Sequence, residues 1–282
     1  MDSECFCKSR GSLIVLAERI FMDMNRESIA IDARIAHEAD RYAIDVMKIP
    51  SLDLMYSASS SVCDFIMEEY FSGNLSVPSS VPSSVHLSDC RSKCLGKKLI
   101  CAVGVGNNGG DGACIAGIIK EKEIKNVETQ LIVCGNLEKA SPEFLYQLSV
   151  YKKLGGNVKF YKAEGDLRKE ALSIDDKKSV IIVDALFGTG LAREVAGSFA
   201  ALIAEMNELK SEGAVVVAVD VPSGINTDNG KVMGIAAFAD ATVTFGYNKK
   251  GLITKTGKEY AGRVIVKDIG IPEEAYRKVM NA

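Results

Sequence analysis

From residue 99 to the C-terminal region, short apolar runs alternate with amphipathic segments along the chain. Seven runs have the length of buried strands, at 99–103, 129–134, 158–161, 180–183, 215–219, 242–245 and 264–266. Helical patterns separate the first five runs, near residues 111–120, 142–154, 166–173 and 196–210. Strands that alternate with helices form right-handed crossovers, and therefore a mostly parallel sheet with helices on both faces. The pattern predicts an α/β protein, a Rossmann-like three-layer αβα sandwich.

Residues 29–70 show a different pattern, with apolar residues at helical spacing and a break at Ile49-Pro50. Since proline disfavours a helical residue before it, we expect two helices, forming an N-terminal helical extension packed on the sandwich. Residues 72–93 are rich in serine and proline, and such a composition buries too little apolar surface to offset the cost of ordering. We predict a mobile insertion there and a further extension over 1–30, within a single domain of 1–282.

Charge and hydropathy exclude several classes of protein. The formal net charge of -3 gives no basic excess for neutralising a polynucleotide backbone, so nucleic-acid binding is not expected. The longest apolar stretches, 13–17 and 214–219, fall far short of the roughly 20 residues that a transmembrane helix needs. The first 30 residues mix acidic and basic side chains, unlike a targeting peptide. We therefore predict a cytoplasmic protein that does not enter the membrane, with a mitochondrial location left open.

Eight cysteines are scattered over positions 5, 7, 63, 90, 94, 101, 114 and 134. Several stand in apolar surroundings, where a free thiol behaves as a small hydrophobe. Buried, reduced thiols are therefore expected. The pairs Cys5-x-Cys7 and Cys90-x3-Cys94 offer a zinc site as the alternative, but neither histidine has a zinc-like spacing to them.

The most specific motif is the loop Gly104-Val-Gly-Asn-Asn-Gly-Gly-Asp-Gly112, between the first predicted strand and helix. We expect its glycines to permit positive φ and close approach, while free N–H groups at the helix start favour an anion. Gly104-x-Gly106-x-x-Gly109 also matches the dinucleotide fingerprint of NAD-dependent oxidoreductases, but the second strand ends without the acid that would hold the ribose. A tight turn without any ligand is the third alternative.

Two further loops follow predicted strands and begin with an aspartate. Asp184 precedes a glycine-rich loop that runs to residue 194, and Asp220 precedes a loop that contains Ser223. Open α/β sheets bind ligands at the carboxyl ends of their strands, and in the usual strand order the first and fourth strands flank the point where the winding reverses. We therefore expect all three loops at one edge of the sheet, although each aspartate alone is as well explained as a helix cap or turn residue.

Taken in order, these motifs resemble the NAD(P)H-hydrate epimerase family, the YjeF N-terminal domain that includes the apolipoprotein A-I-binding proteins. The resemblance extends over about residues 35–272. It also includes Ala39-Asp40, Leu54-Met55, Lys249 and the segment Asp268-Ile-Gly-Ile-Pro272. Where the family commonly has an acidic residue after Leu-Met, this chain has Tyr56 and Ser57.

The resemblance implies an isomerase that repairs NADH or NADPH hydrated at C6 of the nicotinamide ring. Protonation of the C6 hydroxyl and a push from the ring nitrogen expel water, and water returns on either face, so the R and S forms interconvert. One carboxyl group with a tuned pKa suits both proton transfers. Asp220 is the catalytic candidate.

Family correspondence also implies the binding residues. The dinucleotide would be held by Asn107, Asn108, Gly109, Gly110 and Asp111 in the first loop, by Gly188, Thr189, Gly190, Leu191, Ala192, Arg193 and Glu194 in the second, and by Asp220. One potassium ion per subunit would be held by Asn108, Asp184 and Ser223, whose oxygens suit a hard cation. Arg193 is equally well interpreted as a solvated surface residue.

The implied partners are the substrate NAD(P)HX, a second copy in a homodimer, and a separate S-specific dehydratase, since no dehydratase domain follows before Ala282. The alternative is a non-catalytic nucleotide-binding or protein-binding scaffold of the same fold. The presence of both aspartates, both asparagines and Ser223 favours the enzyme.

Overall fold

The computed structural model describes residues 26, 28–71, 96–124, 126–172 and 179–281. The predicted insertion at 72–93, most of the extension 1–30 and the two proposed cysteine pairs lie outside these residues. Of the helices in the described ranges, none is long and apolar enough to cross a membrane.

The described strands and helices alternate as the sequence pattern predicts. The strands are β1 (Ala30–Ile31), β2 (Lys97–Val103), β3 (Val127–Val133), β4 (Asn157–Phe160), β5 (Val180–Ala185), β6 (Val215–Val219), β7 (Ala241–Phe245), β8 (Asn248–Lys249) and β9 (Arg263–Lys267). The α-helices are α1 (Ala33–Asp45), α2 (Ser51–Ile66), α3 (Asn107–Glu121), α4 (Pro142–Lys153), α5 (Asp166–Ala171), α6 (Gly197–Ser211), α7 (Lys255–Ala261) and α8 (Glu273–Met280). Each predicted strand and helix is present, whereas β1, β8, α7 and α8 were not predicted.

The main sheet has the order β4–β3–β2–β5–β6–β7–β9, and all its neighbouring strands are parallel. The winding reverses between β2 and β5, which are adjacent, and β6 lies beside β5. The predicted α/β Rossmann-like sandwich is therefore confirmed, including the position of the reversal that brings the three loops to one edge.

Both faces of the sheet are covered, and β2 shows how. Leu99, Cys101 and Val103 pack into a core with residues of α2, α3 and α4, whereas Ile100 and Ala102 pack into a second core with residues of α6. A strand buried on both sides reads as a continuous apolar run, since alternate side chains enter opposite cores.

Four cysteines in the described ranges are buried free thiols, at positions 63, 101, 114 and 134. Burial raises the pKa of Cys114 to about 11 and that of Cys134 to about 12, so both stay protonated near neutral pH. The expectation of buried, reduced thiols is confirmed for these four.

The start of α3 differs from the prediction in two ways. The helix begins at Asn107 instead of near residue 111, so the Asn-Asn-Gly-Gly-Asp segment forms its first turns. The expected positive φ is also wrong, because no glycine between 104 and 112 adopts it. Close packing explains most of these glycines: a Cβ on Gly104 would lie 2.3 Å from the carbonyl oxygen of Leu186, and one on Gly109 would lie 2.0 Å from the carbonyl oxygen of Gly104. Gly106 is the exception, since a Cβ there would meet no atom within 4 Å.

The N-terminal segment is attached to the edge of the sheet where the loops lie. β1 pairs with β8 in parallel, which places Ile31 opposite Lys249. The backbone N–H of Ala33 donates to Asp228 Oδ1 at 2.7 Å, and Lys250 Nζ contacts Asp32 Oδ2 at 2.9 Å. Helix α1 is therefore held beside the third loop, a placement that its own amphipathic pattern does not specify.

Candidate active site

Three loops meet at the carboxyl ends of β2, β5 and β6. The first leads into α3, the second follows β5, and the third follows β6. Because these three strands are neighbours in the parallel sheet, the loops form one continuous edge. The structure therefore brings Asn108, Asp184, Ser223 and Asp220 to one edge, although their positions in the sequence are as much as 115 residues apart.

Asp184 and Ser223 form a buried polar pair between the second and third loops. Ser223 donates from its hydroxyl to Asp184 Oδ1 at 2.5 Å and from its backbone N–H to Asp184 Oδ2 at 2.8 Å. Phe187 N–H donates to Ser223 Oγ at 2.9 Å, and both Asp184 and Ser223 are 0% exposed. Burial raises the pKa of Asp184 to about 6, although the hydrogen bonds from Ser223 oppose this shift.

Asn108 lies against the second loop, next to this pair. Its Oδ1 lies 3.0 Å from the position of a Cβ built on Gly188, the residue after Phe187. Its Nδ2 is buried and has no hydrogen-bond partner within the described residues. A buried polar atom without a partner is rare in native proteins, and this N–H donor indicates a place for an acceptor atom of a ligand.

Asp220 occupies a strained turn at the end of β6. Its φ is +65°, and the turn is closed by the N–H of Val221, which donates to the carbonyl of Val219 at 2.8 Å. This hydrogen bond closes a three-residue turn, and such turns are rare when the central residue has a positive φ. A residue held in an unfavourable backbone conformation costs about 1–3 kcal/mol, and such residues are concentrated at functional sites. Asp220 Oδ1 accepts from Thr244 Oγ1 at 3.1 Å and pairs with Lys249 Nζ at 3.0 Å.

The carboxyl groups of Asp40 and Asp111 interact electrostatically with Asp220, and only Asp111 was a predicted site residue. Burial raises the pKa of Asp111 well above its ordinary value, and the charges of Asp220 and Asp40 raise it further. Burial and the charge of Asp220 raise the pKa of Asp40 to about 6, against a lowering by Lys249. Protonated and ionised carboxyl groups can therefore coexist at one site, as general acid–base chemistry requires.

The predicted binding residues in the second loop differ in their exposure to solvent. Thr189 Oγ1 contacts Nε2 of His37 on α1 at 3.0 Å, whereas Ala192, Arg193 and Glu194 are exposed. Arg193 has no ion-pair partner in the described ranges. Tyr56, where the chain departs from the family pattern, is exposed on α2.

Sequence reasoning missed His37 and Asp40 as members of this edge. Both lie on α1, three residues apart and so on one side of the helix. His37 reaches the second loop, and Asp40 reaches the surroundings of Asp220. The available signal was Ala39-Asp40 in the family resemblance, but the pattern of α1 alone does not reveal what the helix packs against.

The raised pKa of Asp40 predicts a pH dependence of stability. Since its folded-state pKa of about 6 lies above the ordinary value of 3.8, the folded state retains a proton that the unfolded state loses in this window. The contribution of Asp40 to stability is present at low pH and is lost as the pH rises from about 4 through 6. As the pH rises from about 4 to 6, the free energy of unfolding of the wild type should therefore fall relative to that of Asp40→Asn. Urea denaturation of both proteins at each pH measures this difference.

The matched control is Asp45→Asn, because Asp45 is exposed at the end of the same helix. Its unfolding free energy should follow that of the wild type at every pH. If the curves of wild type and Asp40→Asn are parallel from pH 4 to 7, the assignment of a raised pKa to Asp40 is wrong.

The family model described as YjeF-related protein N-terminus matches residues 51–251 of this chain. A protein named NAD(P)H-hydrate epimerase from Oenococcus oeni is 37% identical over 247 residues, which cover 87% of this chain and 99% of that protein. Another with this name, from Limosilactobacillus fermentum, is 38% identical over 239 residues, 85% of this chain and 96% of that protein. The chain belongs to the YjeF-related N-terminal family. The predicted resemblance is thereby confirmed.

A crystal structure of yeast ynu0, YNL200c, has the same fold. It superposes with a TM-score of 0.65 at 18% identity, and covers 89% of this chain and 93% of that chain. The range of the YjeF-related match, 51–251, contains all three loops and Lys249, whereas His37 and Asp40 precede it.

Proposed function

We propose that this protein is an NAD(P)H-hydrate epimerase, an isomerase that interconverts the R and S forms of hydrated NADH and NADPH. The observation that carries this proposal is the alignment of 85–87% of the chain with bacterial proteins of that name at 37–38% identity. The geometry at the carboxyl edge of the sheet supports it, since a carboxylate at a strained turn faces two carboxyl groups with raised pKa.

The substrate carbon bears a hydroxyl beside the ring nitrogen. When a carboxyl group donates a proton to that hydroxyl, the C6–O bond breaks, the nitrogen lone pair forms the C=N bond, and water leaves. Water then adds to the other face of C6 and returns a proton to a carboxylate, so nothing is consumed. Asp220 exchanges this proton, and Asp40, whose pKa is about 6, is partly protonated near neutral pH and can supply one.

For the dinucleotide, we propose two binding segments, residues 107–111 at the start of α3 and residues 188–194 in the second loop. The first N–H groups of a helix have no intrahelical partner, and the helix dipole favours an anion there. The start of α3 therefore suits a phosphate group of the substrate. The exposed Arg193 can add a second contact to phosphate.

We also propose that Asn108, Asp184 and Ser223 hold a potassium ion. The donor set fits, because it offers amide, carboxylate and hydroxyl oxygens, and because the completely buried Asp184 has no cationic partner among the described residues. When bound, the ion would supply positive charge that partly neutralises Asp184 and the phosphates of the substrate.

The ion predicts a stability effect that is separate from activity. Potassium at about ten times its dissociation constant should raise the free energy of unfolding by about 1.4 kcal/mol, which corresponds to a Tm increase of about 3–6 °C. The measurement is thermal unfolding in potassium chloride against choline chloride at equal ionic strength. Asp184→Asn should lose this increase, and Asp45→Asn should keep it. An equal Tm in both salts for the wild type would contradict the potassium site.

The function is tested by mixing the R and S hydrates with a separate S-specific dehydratase. The dehydratase alone should leave the R form, and addition of this protein should allow complete conversion. Persistence of the R form would overturn the proposed activity, and stoichiometric hydride transfer to a second substrate would favour an oxidoreductase. The homodimer, the cellular coupling to a dehydratase and the cytoplasmic location stay predictions.

A further inference from the structure

Lys249 places an ammonium group in the protein interior, directly against Asp220. The side chain of Lys249 is only 2% exposed. Its Nζ lies 2.9 Å from Thr244 Oγ1, 2.9 Å from the carbonyl oxygen of Phe245, 3.0 Å from the carbonyl oxygen of Tyr247 and 3.0 Å from Asp220 Oδ1. Burial of a charge is costly unless it is paired and hydrogen-bonded, and this set of oxygens meets both requirements.

Thr244 links the lysine to the carboxylate. Its hydroxyl oxygen accepts a hydrogen bond from Lys249 Nζ, so the single hydroxyl proton is available to donate to Asp220 Oδ1 at 3.1 Å. Oδ1 therefore accepts from two donors. Within the described residues, Oδ2 of Asp220 has no hydrogen-bond partner. The two oxygens of this carboxylate are thus not equivalent.

Three ionisable groups surround the carboxyl group of Asp220. Asp40 from α1 and Asp111 from α3 are close enough to interact with it electrostatically, and both have a raised pKa. The only cation that pairs with Asp220 in the described ranges is Lys249 from β8, and an ammonium group beside a carboxyl group favours its ionised form. The backbone of Asp220 is also strained, so its position depends on contacts that hold it.

We propose that Lys249 and Thr244 are positioning residues that hold Asp220 as a carboxylate, with Oδ1 bound by the protein and Oδ2 left to exchange the proton with the substrate. The inference rests on the proposed epimerase function for its catalytic consequence. The orientation of the carboxylate itself can be tested without any turnover.

The kinetic test uses Thr244→Val, which keeps the size of the side chain and removes the hydroxyl, and Thr244→Ser, which restores it. For Thr244→Val we expect kcat to fall about tenfold, the factor that corresponds to one lost hydrogen bond to a charged group. KM should change less than about twofold, because the substrate contacts remain. The acid limb of the pH–rate profile should move to higher pH, since the carboxylate is less stabilised. Thr244→Ser should behave like the wild type in all three measurements.

The second test follows the carboxyl carbon of Asp220 by NMR during a pH titration, with the signal assigned from its absence in Asp220→Asn. In Thr244→Val and in Lys249→Met, the midpoint should move to higher pH. The folded fraction of Lys249→Met must be checked by circular dichroism. If Lys249→Met does not fold, the midpoint of Thr244→Val alone decides whether the positioning role holds.

The outcomes separate the two proposals. If the wild type does not interconvert the hydrates but the NMR midpoint moves, the epimerase function fails and the positioning role stands. If the wild type is active, while Thr244→Val shows neither a displaced acid limb nor a displaced midpoint, the positioning role is overturned. A fall in activity that only follows the amount of folded protein would also overturn it.

Discussion

Asp220→Asn is expected to reduce kcat for the interconversion of the hydrates by about 10²–10⁴-fold, the usual contribution of a general acid–base group. The amide has nearly the shape of the carboxylate but cannot exchange the proton. It still accepts a hydrogen bond from Thr244 and from Lys249, so the strained turn should persist. The measurement is the rate of R to S exchange by chromatography or NMR, at substrate concentrations where binding is saturated.

The control for this prediction is Asp45→Asn, which makes the same chemical change at an exposed position. Its rate should equal that of the wild type, and circular dichroism should show that both variants are folded. Exchange by Asp220→Asn at the wild-type rate would remove Asp220 from the catalytic role and leave Asp40 or Asp111 as the remaining carboxyl candidates.

Gly109→Ala is expected to produce the largest loss of stability among single methyl additions at the start of α3. The new Cβ would lie 2.0 Å from the carbonyl oxygen of Gly104 and 2.6 Å from its carbonyl carbon. Since these atoms are backbone, the helix or the first loop must shift. Overpacking costs about 1–3 kcal/mol and sometimes more. Thermal unfolding should show a Tm lowered by about 2–4 °C for each kcal/mol.

The matched control lies in the same helix. A Cβ on Gly117 meets no atom within 4 Å, and the residue is in the helix interior. Gly117→Ala should therefore raise the free energy of unfolding by about 0.5–1 kcal/mol, because alanine loses less conformational freedom on folding. If both alanine variants change the Tm alike, close packing does not explain the glycine at position 109.

The sheet was predictable from the sequence because its strands are buried on both faces. Runs such as 99–103 and 215–219 have no polar side, so their apolar character identifies them without knowledge of their neighbours. The position of the reversal between the first and fourth strands followed from the usual order of such sheets. Loops that start at the carboxyl ends of such strands must share one edge, which is why Asp184 and Asp220 could be placed together.

The sequence predicted close approach at the glycine-rich loop, but the expected positive φ of its glycines was wrong. Glycine serves positive φ and tight packing equally well, and a sequence does not distinguish between them. The distances from Gly104 to Leu186 and from Gly109 to Gly104 show packing between α3, β2 and the loop after β5. The contact between Gly104 and Leu186 joins segments more than 80 residues apart, so it appears only in the folded protein.

The surroundings of Asp220 depended most on tertiary structure. Lys249 lies on β8, a strand of two residues, and Asp40 lies on a helix whose pattern indicates only that one side is buried. The pairing of β1 with β8 and the contacts of α1 with the second and third loops bring these residues to the edge. Pairings this short leave no periodic signal, because periodicity needs several residues to repeat.

The sequence alone therefore determined the α/β sandwich, the edge where the three loops meet and the family, since strand burial and local motifs are written in neighbouring residues. The tertiary structure decided which carboxyl groups surround Asp220 and which oxygen of Asp220 is bound by Thr244 and Lys249. Those features arise from contacts between distant segments, whose geometry is set only when helix, loop and strand pack together.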